Sequence, residues 1–541
     1  MSDLITIIVD GREVQVPPRT QLIEALRHYA KVDTPAFCYH EDLKVAGNCR
    51  ICLIEFEGPR GWQLGISCHM QTAPNLKVRT QMSSPGVIKA RKGVMEFLLV
   101  NHPLDCPVCD KAGECTLQDH YMGQGRHESR LHDAVGKAYK GGADHRFIDG
   151  KGDDRGGKRI DLGSTIVLDQ ERCIACTRCV RFMDDVAKDH QLEIAGRGEH
   201  AYITTFPGKP LEHAYDLNVT DVCPVGALTG KHFRFQQRVW FLKSVESIDP
   251  SDALGANITI DYSMSGGEHG KVWRLMPRRN VAVNKSWIAN RTRMLYQQLA
   301  VNRLTDAKVA GADAALASAV AKTAAVISSA KRIALVASGH ATLEDNTALL
   351  ALADVLGARA EVFSGSWLAV GKADGIALSG DPVANRAGLA ELGLVDNLDA
   401  LVNRASEFDA LITLQDLWGA DAAKASKLAA IPNRISLASW QDATVAQATV
   451  ALGVRCWAEA RGTMINSQGR IQVLNACPVM ADPQLDPAWA ILARLAGLGW
   501  TSELDAFKAA QARAPRLVGL SYRAIGPQGH VLAPIAVAVG A

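Results

Sequence analysis

Cys173-Ile174-Ala175-Cys176-Thr177-Arg178-Cys179 places three thiols in seven residues, and Cys223-Pro224 follows 44 residues after the last of them. Three such closely spaced thiolates can occupy three corners of a 4Fe-4S cube from one loop, while a remote Cys followed by Pro supplies the fourth. A two-cluster ferredoxin would carry a further Cys four residues after Cys179, but position 183 is Met183. This stretch therefore builds one cube, with a structural zinc ion as the alternative occupant.

Upstream, His102, Cys106, Cys109 and Cys115 read H-x3-C-x2-C-x5-C. One imidazole and three thiolates suit either a zinc ion or a second cube, and the local chemistry does not choose between them. His69, His120 and His127 are nearby substitutes for His102, which could also be an ordinary histidine favoured at a helix C-terminus. Pro103 and Pro107 stiffen the connecting loop. Further upstream, Cys38, Cys49, Cys52 and Cys68 are spaced C-x10-C-x2-C-x15-C. Four thiolates meet the needs of a 2Fe-2S centre, and Gly47 lets backbone approach an anionic cluster closely. The spacing differs from the plant-ferredoxin C-x4-C-x2-C, and a four-thiolate zinc site is the rival.

These sets use every Cys before residue 224; only Cys456 and Cys477 remain, and they read as small buried hydrophobes. Clustered thiols in a long chain kept reduced bind metal more readily than each other. A length of 541 residues predicts several domains. With 59 Lys and Arg against 57 Asp and Glu, net charge is +2, which argues against nucleic acid as the main partner. At 48% apolar and 21% charged residues the chain is expected to fold. No run of 18 uncharged apolar residues occurs, and residues 1–17 lack the zones of a signal peptide, so neither a membrane span nor export is expected.

Around the ligands, Leu4 to Val9, the turn pair Asp10-Gly11 and Val14 to Val16 predict a hairpin. Thr20 is expected to cap a helix from Gln21 to Tyr29 with Leu22, Ile23 and Leu26 on one face. Ser84-Pro85 starts another helix, with Ile88, Met95, Leu98 and Leu99 sharing a face, that ends near His102-Pro103. Residues 123–163 read as an extended surface loop. Asn257 to Tyr262 and Lys271 to Leu275 predict a small β-rich unit. Beyond residue 300 composition turns Ala-rich. Strand candidates Ile333 to Ala337, Ala410 to Leu414 and Ile435 to Leu437 alternate with helical stretches such as Glu344 to Leu356, which predicts an α/β layered domain on a mostly parallel sheet. The expected division is a ferredoxin-like β-grasp 2Fe-2S domain (1–82), a His-ligated 4Fe-4S domain (83–122), an all-cysteine 4Fe-4S domain (123–238), a small β-rich domain (239–300) and an α/β domain (301–541). The fold class is multidomain α+β and α/β.

No nucleotide-binding or hydrolytic motif competes: G-x-x-x-x-G-K-[ST], H-E-x-x-H, G-x-S-x-G and G-x-G-x-x-G are missing. Electrons must enter and leave through partners. Taken together, Ala46-Gly47-Asn48-Cys49-Arg50-Ile51-Cys52, His102-Pro103-Leu104-Asp105-Cys106-Pro107-Val108-Cys109 and Cys223-Pro224-Val225-Gly226-Ala227-Leu228 resemble the signatures of the large iron-sulfur subunit of proton-pumping NADH:quinone oxidoreductase, respiratory complex I. Glu246-Ser247-Ile248-Asp249 and Asn284-Lys285-Ser286-Trp287-Ile288 fit as well.

The resemblance implies an electron-relay subunit of that translocase. Cys38, Cys49, Cys52 and Cys68 would hold a 2Fe-2S cluster; His102, Cys106, Cys109 and Cys115 a 4Fe-4S cluster; Cys173, Cys176, Cys179 and Cys223 a second 4Fe-4S cluster. It implies no catalytic residue on this chain, because NADH, FMN and quinone are bound by other subunits. The implied partners are the FMN/NADH-binding subunit and downstream iron-sulfur subunits of the peripheral arm, on the cytoplasmic side of a bacterial inner membrane. The Ala-rich half is similar to molybdopterin oxidoreductases at Gly380-Asp381-Pro382 and Gly462-Thr463-Met464-Ile465-Asn466, but no functional pterin is expected there. Some bacterial members carry a further cube near residues 245 to 275; with no Cys between Cys223 and Cys456, it is not expected here. Two rivals stand beside this reading. One is the diaphorase subunit of an NAD-linked hydrogenase or the cluster-bearing part of an NAD-dependent formate dehydrogenase, which commonly carry paired C-x2-C-x2-C-x3-C-P motifs. The other is a zinc-stapled scaffold with no redox role.

Overall fold

The computed structural model describes residues 4–126, 157–198, 201–265, 270–415, 417–480 and 484–533. The chain forms two compact units that divide between Phe241 and Leu242.

The first unit opens on a five-stranded sheet in the order Arg12–Val16, Ile5–Val9, Lys77–Arg79, Leu53–Gly58, Gly61–Ile66. Asp10 and Gly11 both take positive φ, the geometry that lets a two-residue turn follow the strand twist, and Ile7 pairs with Val14 across it. Apolar residues alternate so that Ile7, Val9, Val16, Ile54 and Val78 point to one buried face. Leu22 and Leu26 cover it. The expected helix over 21–29 is shorter and looser: one α-turn, Leu22–Glu24, runs into a π-turn, Ala25–Tyr29. Thr20 does not cap it; its amide bonds Thr72 Oγ1 instead.

Ser84 caps the helix Pro85–Val100 through the Val87 amide, as Ser-Pro predicts. Its buried side chains are Val87, Arg91 and Met95, whereas Ile88 is exposed. A buried Arg occupies the face expected to be apolar because its guanidinium donates twice to the Leu53 carbonyl and once to Gln81. The remainder of this unit is irregular, with a helix Thr116–Gln124, a small sheet Leu228–Gly230, Ile166–Leu168, Ile160–Asp161, and short helices Arg178–Phe182 and Asn218–Val222. Most of the loop expected over 123–163, and His127 within it, lies outside the described residues.

The second unit contains the antiparallel sheet Lys243–Ile248, Asn257–Ser263, Lys271–Pro277. Beyond it is a seven-stranded sheet in the order Ala312–Ala314, Ala307–Val309, Val450–Gly453, Asn433–Ala438, Ala410–Leu414, Ile333–Ser338, Ala360–Gly365. Its last five strands are parallel, and the first two are antiparallel additions at one edge. The central strands are buried along their length, as a sheet covered on both faces requires. Helix Leu343–Leu356 starts in a capping box between Thr342 and Asp345. Cys456 and Cys477 are fully buried in one apolar cluster of this unit.

Candidate metal centres

All thirteen cysteines are free of disulfides. The first set converges. The Cys38 amide donates to Cys49 Sγ at 3.4 Å, the Cys49 and Cys68 thiols both hydrogen-bond Cys38, and Cys68 also bonds Cys52. These bonds pull the Cys38 and Cys52 thiols down toward thiolate and push their donors, Cys49 and Cys68, up. The strand pair 53–66 brings Cys52 and Cys68 together at its base, and Gly47 and Arg50 take left-handed backbone in the loop that returns Cys49 to Cys38. A Cβ on Gly47 would press on Ile66 at 3.1 Å. Amides of Asn48, Cys49, Ile51 and Cys68 point at sulfur, which suits an anionic group.

The third set also converges. Cys173, Cys176, Cys179 and Cys223 line one small cavity, walled by Leu168, Ile203, Val225 and Leu228. Ala175 and Thr177 both adopt left-handed backbone, a strain of roughly 1 kcal/mol each for residues bearing a Cβ. That winding turns the Ala175 amide to Cys173 Sγ and the Arg178 amide to Cys176 Sγ. Burial, then the neighbouring thiols, pushes Cys179 up and Cys176 up to about 11, so that these two would need a metal to become thiolates.

In the second set Cys109 and Cys115 are buried and Cys106 is exposed. Cys115 sits at the start of helix Thr116–Gln124, and its sulfur accepts the Leu117 and Gln118 amides. His102 follows the end of helix Pro85–Val100. Its Nδ1 is buried with no hydrogen-bond partner, and burial, helped by the Arg172 charge, pushes its pKa down to about 4. A neutral imidazole with an orphaned ring nitrogen is what a metal ligand requires and is not the imidazolium that a helix C-terminus would stabilise. His120 is engaged elsewhere: its Nε2 accepts the Ala36 amide at 3.1 Å, and its ring stands edge-on to Phe37.

The three sites touch, and not in chain order. Arg178 and Arg181 reach from the all-cysteine loop to the binuclear one. Arg178 donates to the Tyr39 and Val222 carbonyls, and Arg181 to those of Cys38, Lys44 and Cys176. Asn48 Nδ2 adds a bond to the Ala175 carbonyl at 3.2 Å. On the other side, the segment that supplies Cys223 closes on the His-containing site. The Thr116 amide donates to the Pro224 carbonyl at 3.0 Å, and Cys115 Sγ lies 3.8 Å from the same oxygen. Arg172, next to Cys173, donates to Asp105, next to Cys106, at 3.0 and 3.2 Å. The all-cysteine loops thus bond both of the others, while the helix after Cys115 also meets the binuclear loop through His120 and Ala36. Sequence reasoning assigns no role to Arg172, Arg178, Arg181 or Gly226; the signal it misses is the run of cations one to two positions from ligands.

Family models match four segments of the chain. Residues 2–83 match a 2Fe-2S iron-sulfur cluster binding domain, and 91–130 the NADH-ubiquinone oxidoreductase-G iron-sulfur binding region. Residues 163–229 match the ferredoxin-like domain of NADH-quinone oxidoreductase subunit 3, and 242–297 the NDSU1/NuoG-like 4Fe-4S domain of NADH-ubiquinone oxidoreductase. The last segment contains no Cys, so it keeps a sheet but offers no thiolate to a cube. The chain is 42% identical over 311 residues to the mitochondrial NADH dehydrogenase [ubiquinone] iron-sulfur protein 1 of Solanum tuberosum, covering 58% of this chain and 38% of that one. It is 42% identical over 301 residues to the mitochondrial 78 kDa subunit of NADH-ubiquinone oxidoreductase of Neurospora crassa, covering 56% and 37%. It is 41% identical over 303 residues to the 75 kDa subunit from Reclinomonas americana, covering 56% and 40%. The match therefore spans about two fifths of these curated relatives. Among solved structures, a chain of an NAD+-reducing [NiFe]-hydrogenase in the H2-reduced state is 25% identical, with a TM-score of 0.35, covering 43% of this chain and 91% of that one.

Proposed function

We propose, from the homology of residues 2–297 to the large iron-sulfur subunit of NADH-quinone oxidoreductase, that this chain is the electron-relay subunit of a proton-pumping NADH:quinone oxidoreductase. Its ligands are Cys38, Cys49, Cys52 and Cys68 for a 2Fe-2S cluster. His102, Cys106, Cys109 and Cys115 serve one 4Fe-4S cluster, and Cys173, Cys176, Cys179 and Cys223 another. When bound, such clusters take up and release single electrons, with potentials set by charge, hydrogen bonding and burial.

The observation that carries this reading is the contact between the sites. A zinc-stapled scaffold has no need for its staples to share side chains, whereas a relay needs short gaps. Here the ligand loops of the all-cysteine site bond those of both neighbours directly. The chain's own residues set the conditions. Backbone amides are aimed at the sulfurs, apolar side chains line the all-cysteine cavity, and fixed cations lie between sites. In this reading the relay runs binuclear, all-cysteine, His-ligated, supported by the bonds from the all-cysteine loops to both neighbours.

In this reading the FMN/NADH-binding subunit lies on one side of the relay and downstream iron-sulfur subunits on the other, with NADH, FMN and quinone held by those chains. The subunit is peripheral, on the cytoplasmic face of a bacterial inner membrane; among the described residues no helix is long and apolar enough to cross one. The division at residues 82, 122, 238 and 300 stands as the modular plan. Residues 301–541 serve as a scaffold of molybdopterin-oxidoreductase type without a working pterin. The test is chemical: protein purified without oxygen should hold about ten irons with matching sulfide, and dithionite should produce EPR signals from a binuclear and a cubane centre. Zinc in their place would overturn the reading.

A further inference from the structure

Arg178 and Arg181 flank Cys179 on the short helix Arg178–Phe182. Arg178 is mostly buried, and its Nε is closed off from solvent with no partner. Among the described residues neither guanidinium pairs with a carboxylate; their hydrogen bonds go to backbone carbonyls and, from Arg181 Nε, to Thr177 Oγ1. Its two donor nitrogens reach the Val222 carbonyl, next to Cys223, on one side and the Tyr39 carbonyl, next to Cys38, on the other. A buried cation without a counter-ion is costly, and a guanidinium cannot shed its proton to relieve that cost. The two sites would supply negative charge when their thiols bind metal as thiolates.

We propose that Arg178 and Arg181 are positioning residues that form a charge bridge between the binuclear and all-cysteine sites, raising the reduction potential of both and fixing their separation. This rests on the assignment of those two sites above. Reduction adds one electron to a cluster and breaks no bond, so the oxidised and reduced states differ by one negative charge. A fixed cation stabilises the more negative state, and it does so strongly where protein replaces water. Because Arg178 bonds the carbonyls beside Cys223 and Cys38, and Arg181 those of Cys38 and Cys176 themselves, each charge acts on two centres. The His-containing site has a separate cation, Arg172, and is not part of the bridge.

The test is an equilibrium redox titration of the full chain with dithionite, followed by EPR of each centre and paired with iron content. In Arg178→Gln the midpoints of the binuclear and all-cysteine signals should both fall. The expected change is about tenfold or more in each reduction equilibrium, 59 mV for a one-electron couple, with the His-site signal moving less and iron unchanged. Arg178→Lys should restore most of the shift. If Arg178→Gln does not retain its clusters, Arg181→Gln decides, with the same direction expected at both centres. Unchanged midpoints in a fully loaded variant, or a fall confined to one centre, would overturn the bridge. A wild-type chain without the two signals would instead refute the function from which it starts.

Discussion

Gly226 lies against Cys109: a Cβ at position 226 would stand 2.2 Å from the Cys109 sulfur, although Gly226 belongs to the loop that ends the all-cysteine set. No side chain fits there without moving the ligand. We expect Gly226→Ala to displace Cys109 and cost the His-ligated cluster, leaving about six of about ten irons, while the EPR signals of the binuclear and all-cysteine centres persist. Full iron with an unchanged His-site signal would show that the contact is not needed.

His102 and His120 make a paired test. His102→Ala removes the imidazole with the orphaned Nδ1 and should convert or abolish the cube at Cys106, Cys109 and Cys115, leaving the other two signals intact. His120→Ala removes the acceptor of the Ala36 amide and the ring that stands edge-on to Phe37. It should keep every iron and cost about 1 kcal/mol of stability. EPR and iron analysis of both variants check the assignment; loss of the cube in His120→Ala alone would reverse it.

The gathering of Cys38, Cys49, Cys52 and Cys68, and of Cys173, Cys176, Cys179 and Cys223, was legible because thiol chemistry demands Cys and close spacing is a local property. The parallel sheet was legible for a similar reason: Ile333–Ser338 and Ala410–Leu414 are continuous apolar strands between helices. What sequence could not give was spatial order. The binuclear motif comes first in the chain and the all-cysteine one last, yet those two are joined by bonds between residues more than 130 positions apart, such as Arg181 to Cys38. Arg91 shows the same limit at the level of one helix. Its burial depends on the Leu53 carbonyl 38 residues away, which no periodicity on the helix itself reveals.

Asp105 ties two sites through charge. It accepts from Arg172 and from Lys158 at 2.6 Å, and Arg172 is itself buried and also faces Asp169 at 3.2 Å. Burial alone would raise the Asp105 carboxyl, but the bonds from Lys158 and Arg172 more than offset it and hold the carboxyl below its ordinary value. Asp105→Asn keeps the shape and removes the charge, which leaves Arg172 short of a counter-ion. We expect a loss of roughly 2–4 kcal/mol in urea unfolding of the cluster-free chain, together with weaker retention of the His-ligated cluster under chelator. Equal stability of variant and parent would mean that Asp169 alone neutralises Arg172.

Glu344 predicts how the second unit responds to pH. Its carboxylate is fully buried and accepts the Thr463 amide at 2.7 Å, the Thr463 hydroxyl at 2.9 Å and the Tyr522 hydroxyl at 2.7 Å. Burial raises its pKa to about 7 against an ordinary 4.5, and those three bonds only partly oppose the rise. The folded protein therefore holds a proton that the unfolded chain releases between pH 4.5 and 7. Stability from this group is complete below pH 4.5 and is lost as pH climbs through 7, by about 3 kcal/mol in all. In Glu344→Gln the amide oxygen can accept the Thr463 N–H while its NH2 donates to the two hydroxyls, so the network survives without a titrating proton. The variant should lose that slope and be the more stable protein at pH 8, as read from urea midpoints against pH. A protonated-carboxyl infrared band that fades near pH 7 in the parent and is missing from the variant would identify the group directly, and parallel pH profiles for the two proteins would refute the assignment.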